Sequence, residues 1–401
     1  MIIISPTRNV GLFFGKVCNL LSRYVKNYNK SVKLLRIFSI LITAFFITFS
    51  SNGHAIGFSD ATFPELATSG RALAMGNAFI SRVDDSSAVF YNPAGLGSVR
   101  HGHFHFSNFH LETNRGWMNI GTGGGLFDAT SSFGKSISLD GQRELLNKPG
   151  SFGKLAYTRF HMLPNFTTRY FSAGYLYSKQ TLATIQTATS DFEYAQRIDH
   201  GPYAAFNLSL LGGVFKVGFT GALIRRKEAV GTKDKDVTLE LGDNDTNKGT
   251  AFVITAGTKL TFPVTFLPTF AATIHNLGSQ KFSHSGGLGR PTKIKQTFDL
   301  GFSLTPQIGK TTRLHLEVNY KDFSDKYGTS SARRLTFGSE FDLNRTFFVR
   351  FGWGDGFGSA GLGLRTRRLE FDLTTYAVDT SGSSFRGVED RRFSMTLSSG
   401  F

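Results

Sequence analysis

From about residue 99 onward the chain is a succession of short runs in which apolar and polar residues alternate, a period of two that selects β-strands over helices. Such runs cover 101–111, 154–163, 168–181, 201–212, 214–228, 249–261, 267–279, 293–305, 311–323, 332–343, 346–356, 358–367, 369–379 and 391–401, fourteen in all. In 369–379, Leu369, Phe371 and Leu373 share one face and Glu370, Asp372 and Thr374 the other. In 332–343, Leu335, Phe337, Phe341 and Leu343 oppose Glu340 and Asp342; in 311–323, Leu314, Leu316, Val318 and Tyr320 oppose His315, Glu317 and Asn319. Soluble sandwiches alternate as well. Here the chain has 41 Phe against 10 Pro, with apolar residues spread singly. That suits a wall with lipid on one side and water or a plug on the other. Acids on the lipid face near the midplane are costly, so they face the lumen. The expected fold is all-β: a transmembrane antiparallel barrel of about fourteen strands.

The links agree with that reading, since membrane barrels join strands by short turns at one rim and longer loops at the other. Links after even-numbered strands are short; links after odd-numbered ones include 112–153, 182–200, 229–248, 280–292 and 380–390, with the 356–358 turn as the exception. The last run carries Phe393, Met395, Leu397 and Phe401 on one face and ends on the aromatic.

Residues 1–55 read as an export segment. An apolar run over 34–49, too short to span a bilayer, follows Arg23, Lys26, Lys30 and Lys33, and Gly53-His54-Ala55 offers a small-x-small cleavage site. The basic stretch before the apolar run is long, which a misassigned start would explain. Cys18 is the only cysteine, so a chain cut near Ile56 has none and can form neither a disulfide nor a thiolate metal site. The first 55 residues carry seven Lys or Arg and no acid, and removing those seven from a net charge of +16 leaves +9. On an exported barrel such a balance is solvated loop charge or meets lipid phosphates or anionic solutes, not nucleic acid.

Between export segment and wall, residues 56–98 form a third unit. Small residues (Gly70, Ala72, Ala74, Gly76, Ala78) let a backbone pack closely in a confined space. Asn92 before Pro93 forces a bend.

The ordered blocks Arg71-Ala72-Leu73-Ala74-Met75-Gly76, Asp84-Asp85-Ser86-Ser87-Ala88-Val89 and Asn92-Pro93-Ala94-Gly95-Leu96 resemble the N-terminal signature of the FadL superfamily of outer-membrane barrels, in particular its PorV/PorQ-type branch. Ile274-His275-Asn276-Leu277-Gly278 and the region after it resemble the same branch, and the terminal aromatic resembles the signal read by the barrel-assembly machinery. The resemblance implies a 14-stranded barrel in the bacterial outer membrane whose lumen is blocked by an N-terminal hatch containing Gly70, Arg71, Ala72, Gly76, Asp84, Asp85, Asn92, Pro93 and Ala94. It leaves open whether Asn92-Pro93-Ala94 touches a ligand or only folds the hatch.

Candidate chemistry is sparse. His101, His103 and His105 alternate and would share a strand face about 6.6 Å apart, but no third ligand is visible and the barrel pattern already accounts for them, so no metal is expected. Gly121-Thr122-Gly123-Gly124-Gly125 lacks the Lys-Ser/Thr of a phosphate loop. No nucleophile motif appears, so neither enzymatic activity nor a cofactor is expected.

Two functions stay open. In transporter members of the superfamily a hydrophobic solute passes the hatch, and Trp117, Met118, Ile120, Leu126 and Phe127 could form an external hydrophobic landing site for such a solute. PorV-type members are instead non-transporting adaptors for surface or secreted proteins in type IX secretion, and the charged stretch Lys233-Asp234-Lys235-Asp236 with Asp243-Asn244-Asp245 suits a protein-facing loop. Either form would sit among outer-membrane lipid and lipopolysaccharide. A water-filled porin is disfavoured by the hatch.

Overall fold

The computed structural model describes Phe58 and residues 66–400, apart from 101, 122–128, 367 and 382–384. Residues 1–55, read above as an export segment, and His101, Leu126, Phe127 and Phe401 lie outside the described residues.

The strands, in order, are β1 (His103–Asn114), β2 (Leu155–Met162), β3 (Asn165–Thr167), β4 (Phe171–Thr184), β5 (Phe192–Leu210), β6 (Phe215–Lys233), β7 (Asn247–Thr261), β8 (Thr269–His275), β9 (Ser283–Gly287), β10 (Thr297–Leu304), β11 (Thr312–Tyr320), β12 (Leu335–Leu343), β13 (Phe347–Gly354), β14 (Phe357–Arg365), β15 (Leu369–Asp379) and β16 (Glu389–Gly400). β2 and β3 are one stave, both pairing with β1 and β4, interrupted where Pro164 removes a ladder donor. β9 only extends the sheet beside β7. That leaves fourteen antiparallel staves, closed into a transmembrane barrel by β16 on β1, with Leu111 opposite Met395 and Asn114 opposite Arg392. Closure satisfies every stave's backbone within the ring, which a wall in lipid requires.

Side chains alternate as the period demands. On β12, Phe337 is 44% exposed while Glu340 is fully buried. Leu316 and Val318 on β11, Leu369 and Leu373 on β15, and Phe393, Met395 and Leu397 on β16 likewise point outward, and His315, Glu317, Asn319 and Thr374 point inward.

Two departures from the sequence reading stand out. β4 and β5 run on to Thr184 and from Phe192, so the loop expected over 182–200 shrinks to 185–191. Beyond the lipid the outward face need not be greasy, so the alternation fades while the ladder continues. The 112–153 stretch is not a plain loop either. It folds into helices Arg115–Gly121, Ala129–Ser136 and Leu139–Leu146. Asn114 starts the first by accepting from the Trp117 N–H (2.8 Å), and Ser138 caps the third through Gly141.

These helices pack on the outside of the wall's long-loop end. Their apolar residues Trp117, Ile120, Leu139, Leu145 and Leu146 cluster with Ala156, Ala183, Phe192, Tyr194 and Ala229. Ala156 is opposite Ala183 and Ala183 opposite Tyr194, a face opposite to that of lumen-facing Tyr157, Leu182 and Ala195. The loop after β6 joins this buttress: the Leu239 N–H donates to Asp140 (2.7 Å), and the Asn147 amide donates to Asp236 (2.8 Å).

Candidate functional site

Residues 66–99 lie against the lumen face of the wall; most of them are buried and none is exposed. The segment begins with a five-residue helix, Gly70–Ala74, and turns through Gly76 and Asn77, both at positive φ. Helix Ala88–Tyr91 ends at Asn92, which the following proline holds extended (φ −159°). Asn92 then caps the 3-10 turn Pro93–Ser98 by accepting from the Ala94 N–H (3.1 Å), and its amide donates to the carbonyls of Ile80 (2.9 Å) and of Thr258 on β7 (3.1 Å). One side chain thus joins the two halves of the segment to the wall.

Ionic contacts hold the first half. Arg71 donates to both carboxylate oxygens of Glu340 on β12, from Nε and Nη2 at 2.7 Å each, and through Nη1 to Asp84 (2.7 Å) and Asp85 (3.2 Å). Glu340 also accepts from Arg350 Nε on β13 (2.7 Å), and Arg350 continues to Asp372 on β15. Burial pushes the Asp84 carboxyl up, but the neighbouring Arg82 and Arg71 more than offset this and hold it well below the usual carboxylate range. The Ser81 and Arg82 N–H groups both donate to the Glu317 carboxylate at 2.8 Å. Ser359 accepts from the Gly76 N–H (2.8 Å) and donates to the Ala74 carbonyl (2.9 Å), and Thr374 donates to the Gly70 carbonyl (2.9 Å).

Where the segment touches the wall most closely, the wall residue is glycine. A Cβ at Gly218 would come within 3.0 Å of Pro93, one at Gly257 of Asn92, one at Gly301 of Ile80, and one at Gly338 or Gly352 of Met75. All five occupy lumen-facing positions, where a side chain would hold the two backbones apart. Glycine on the polar side of a strand pattern was the available signal for this contact, and it went unread in the sequence.

One sector of the lumen face is apolar. Leu176 (β4), Tyr203 and Ala205 (β5), Ala222 and Ile224 (β6) and Ala251 and Val253 (β7) form a single buried cluster with Phe79, Phe90, Tyr91 and Leu96 of the segment and with Phe282 and Ile294 of the loops. Phe90 meets Tyr203 edge-on at 5.2 Å. Below it, Lys216 (3.0 Å) and Lys259 (3.1 Å) both donate to Ser98 Oγ. Neither this sector nor the lysine pair was anticipated, because lumen positions were read as uniformly polar.

The residues singled out in sequence are distributed as follows. Gly70, Arg71, Ala72, Gly76, Asp84, Asp85, Asn92, Pro93 and Ala94 come together in the segment just described. Of the expected landing site, Trp117 and Ile120 are core residues of the helical buttress, with Trp117 Nε1 donating to the Ser136 carbonyl (2.9 Å), Met118 is exposed, and Leu126 and Phe127 lie outside the described residues. The spacing of three between Trp117 and Ile120 is the apolar stripe of a short helix, which burial claims first. His103 and His105 do share a face, their rings stacked with centroids 5.6 Å apart, but His105 turns to Asn165 Oδ1 (3.3 Å).

No protein-family model matches the chain. No curated protein matches it either. Solved structures with a similar backbone course include the Pseudomonas putida toluene transporter TodX (TM-score 0.47, 9% identity, covering 84% of this chain and 99% of that one). A Pseudomonas aeruginosa FadL homologue gives 0.44 at 10% identity, covering 83% and 98%, and the Ralstonia pickettii toluene transporter TbuX gives 0.44 at 11%, covering 84% and 98%.

Proposed function

We propose that this chain is a bacterial outer-membrane channel for passive uptake of hydrophobic or amphipathic small molecules, with residues 66–99 as a displaceable hatch. The observation that carries the reading is the apolar sector of β4–β7, which runs along the hatch inside an otherwise charged lumen. A water-filled pore has no use for a greasy stripe on its inner wall, whereas a solute with an apolar body needs one to leave water. Such a solute would enter between Phe90 and Tyr203, and it would shift the hatch only by binding the shifted form more tightly. Phe393, Met395 and Leu397, outward on the last strand, would belong to the signal read by the assembly machinery.

The test is deletion of residues 68–94. The wall's ladder does not include them, so the barrel should still assemble and should conduct ions in planar bilayers far above the parent, while uptake of a radiolabelled fatty acid or monoaromatic loses its selectivity. A deleted barrel that reaches the membrane and conducts no more than the parent would end the hatch reading.

A second reading, a PorV-type adaptor for surface or secreted proteins, is favoured by the helical buttress and the exposed polar stretch Lys233–Asp236 beside it. Gentle solubilisation separates the two: a stoichiometric protein partner supports the adaptor, and a bound hydrophobic ligand supports the channel.

A further inference from the structure

Inside the barrel, apart from the ionic clamp, the side chains of His110 and Glu112 on β1 and His161 on β2 bring one ligand atom each within 4.8 Å of one another, all three residues being buried. The imidazoles stack with centroids 4.3 Å apart, and His110 Nε2 lies 2.8 Å from Glu112 Oε1. Thr68, at the start of the inner segment, closes the group. Its hydroxyl donates to Glu112 Oε1 and stands 3.3 Å from His110 Nε2 and 3.5 Å from His161 Nε2.

The surroundings orient these atoms toward a common centre. Glu112 Oε2 is occupied by two phenols, Tyr157 (3.0 Å) and Tyr376 (2.5 Å), which leaves Oε1 to the imidazoles. His110 Nδ1 is paired with the Thr396 hydroxyl (2.7 Å), fixing its ring with Nε2 directed inward. Engaging the far atom of a ligand is the outer support of protein metal sites; Glu112 and His110 have it, whereas His161 Nδ1 is buried without a hydrogen-bond partner among the described residues. The cluster took no part in the sequence reading because its members come from different strands and from the hatch.

We infer that His110, Glu112, His161 and the Thr68 hydroxyl form a binding site for one divalent transition-metal ion, of which zinc is the natural probe. Two imidazoles and a carboxylate are a common ligand set for such ions. A four-coordinate ion with bonds of about 2.1 Å holds its ligand atoms about 3.4 Å apart, so Thr68 at 3.3 and 3.5 Å from the two imidazoles already fits, while Glu112 Oε1, hydrogen-bonded to His110 and Thr68, would move outward to admit the ion. Buried Arg159, the inward residue between Tyr157 and His161 on β2, adds a positive charge nearby. That charge weakens the binding of any cation, and calcium and magnesium, which need six or more oxygen ligands where only Glu112 Oε1 and the Thr68 hydroxyl are offered, are the least suited. Because Thr68 belongs to the inner segment and the other three ligands to the wall, the ion would fasten one to the other. The inference does not depend on the transport reading.

The full chain, purified in detergent and stripped with chelator, should retain one equivalent of zinc on equilibrium dialysis. Cobalt in its place should give the intense visible spectrum of a four-coordinate ion. Glu112→Gln and His161→Asn, each checked as folded by its heat-modifiable gel mobility, should lose that equivalent, whereas His103→Asn keeps it. Thr68→Val should keep the stoichiometry with affinity lowered about tenfold. The same side chains can also close a hydrogen-bond network without an ion. Absence of saturable zinc binding by the parent, unchanged binding in folded Glu112→Gln, or a weak six-coordinate cobalt spectrum would each overturn the proposal. If the variants fail to fold, the parent's stoichiometry and cobalt spectrum decide alone.

Discussion

The Arg71 guanidinium meets the Glu340 carboxylate side-on across 269 residues of sequence, two hydrogen bonds of 2.7 Å joining the inner segment to β12. Both side chains are almost wholly buried, and the pair sits in a chain of alternating charge from Asp84 and Asp85 through Arg71, Glu340 and Arg350 to Asp372. Such a bidentate pair fixes direction as well as distance.

Removing the cation leaves Glu340 with Arg350 alone and Asp84 with Arg82 alone, a change that costs at most about 3–5 kcal/mol, the cost of a fully broken buried pair. Arg71→Met should therefore raise single-channel conductance in planar bilayers and sensitise cells to bulky antibiotics. The double variant Arg71→Met/Glu340→Met, which removes one charge of each sign, should recover part of the closed state. A double variant as leaky as the single one would mean that the pair does not hold the segment.

The wall glycines predict a steric way to the same phenotype. Gly257→Val and Gly352→Val put side-chain atoms where Asn92 and Met75 now stand, without removing a ladder hydrogen bond. Each should give a heat-modifiable, membrane-inserted barrel with increased conductance. Gly134→Ala, with nothing within 4 Å of the added carbon, is the control. Parent-like conductance in both valine variants would show that the segment seats without this close approach.

Acid should not release the Arg71–Asp84 contact in the mildly acidic range. A carboxyl held below its ordinary value contributes stability that is present above the unfolded pKa of about 3.9 and is lost only as pH falls through the lower folded value. Asp84 is such a group. Conductance should stay flat from neutral pH to about pH 5, and a rise within that interval would exclude the Asp84 contact as a determinant.

For the helical buttress the expectation is structural. Trp117→Ala empties a buried indole site and should cost about 3–5 kcal/mol locally, read as faster proteolysis between residues 115 and 150, with solute uptake unchanged. Reduced uptake at parental protease resistance would restore Trp117 to the role of a landing residue.

The wall was legible because lipid imposes a strict rule on every outward position: Phe337, Leu373 and Leu397 announce their face by type alone. Where lipid stops, so does the rule, and the ends of β4 and β5 were lost among residues such as Ala183 and Tyr194 whose outward face is covered by helices instead. The helices themselves are short, eight residues or fewer, and interrupted by Gly134 and Gly141, so no long apolar stripe marked them. Within the lumen, Arg71, Asp84 and Asn92 were singled out through the resemblance carried by their neighbours, not through a partner visible in sequence. The wall residues that meet the segment, Glu340 at Arg71, Glu317 at Arg82, Ser359 at Gly76 and Gly257 at Asn92, stand more than 160 residues from those partners, and pairing across that distance is decided by barrel register, which alternation alone does not supply.

The staves are of unequal length. β5 and β6 run for 19 residues each, while β10 and β13 have 8. At about 3.4 Å per residue and a tilt near 40°, the long pair rises about 50 Å and the short ones about 20 Å. The mouth is therefore cut on a slant, a palisade braced by the buttress on one side and a sill near headgroup level on the other. A solute drifting within the surface of the membrane would meet the mouth from the sill, and one arriving over the palisade would be shadowed by it. If the barrel passes solutes as proposed, its mouth has a compass bearing as well as a bore.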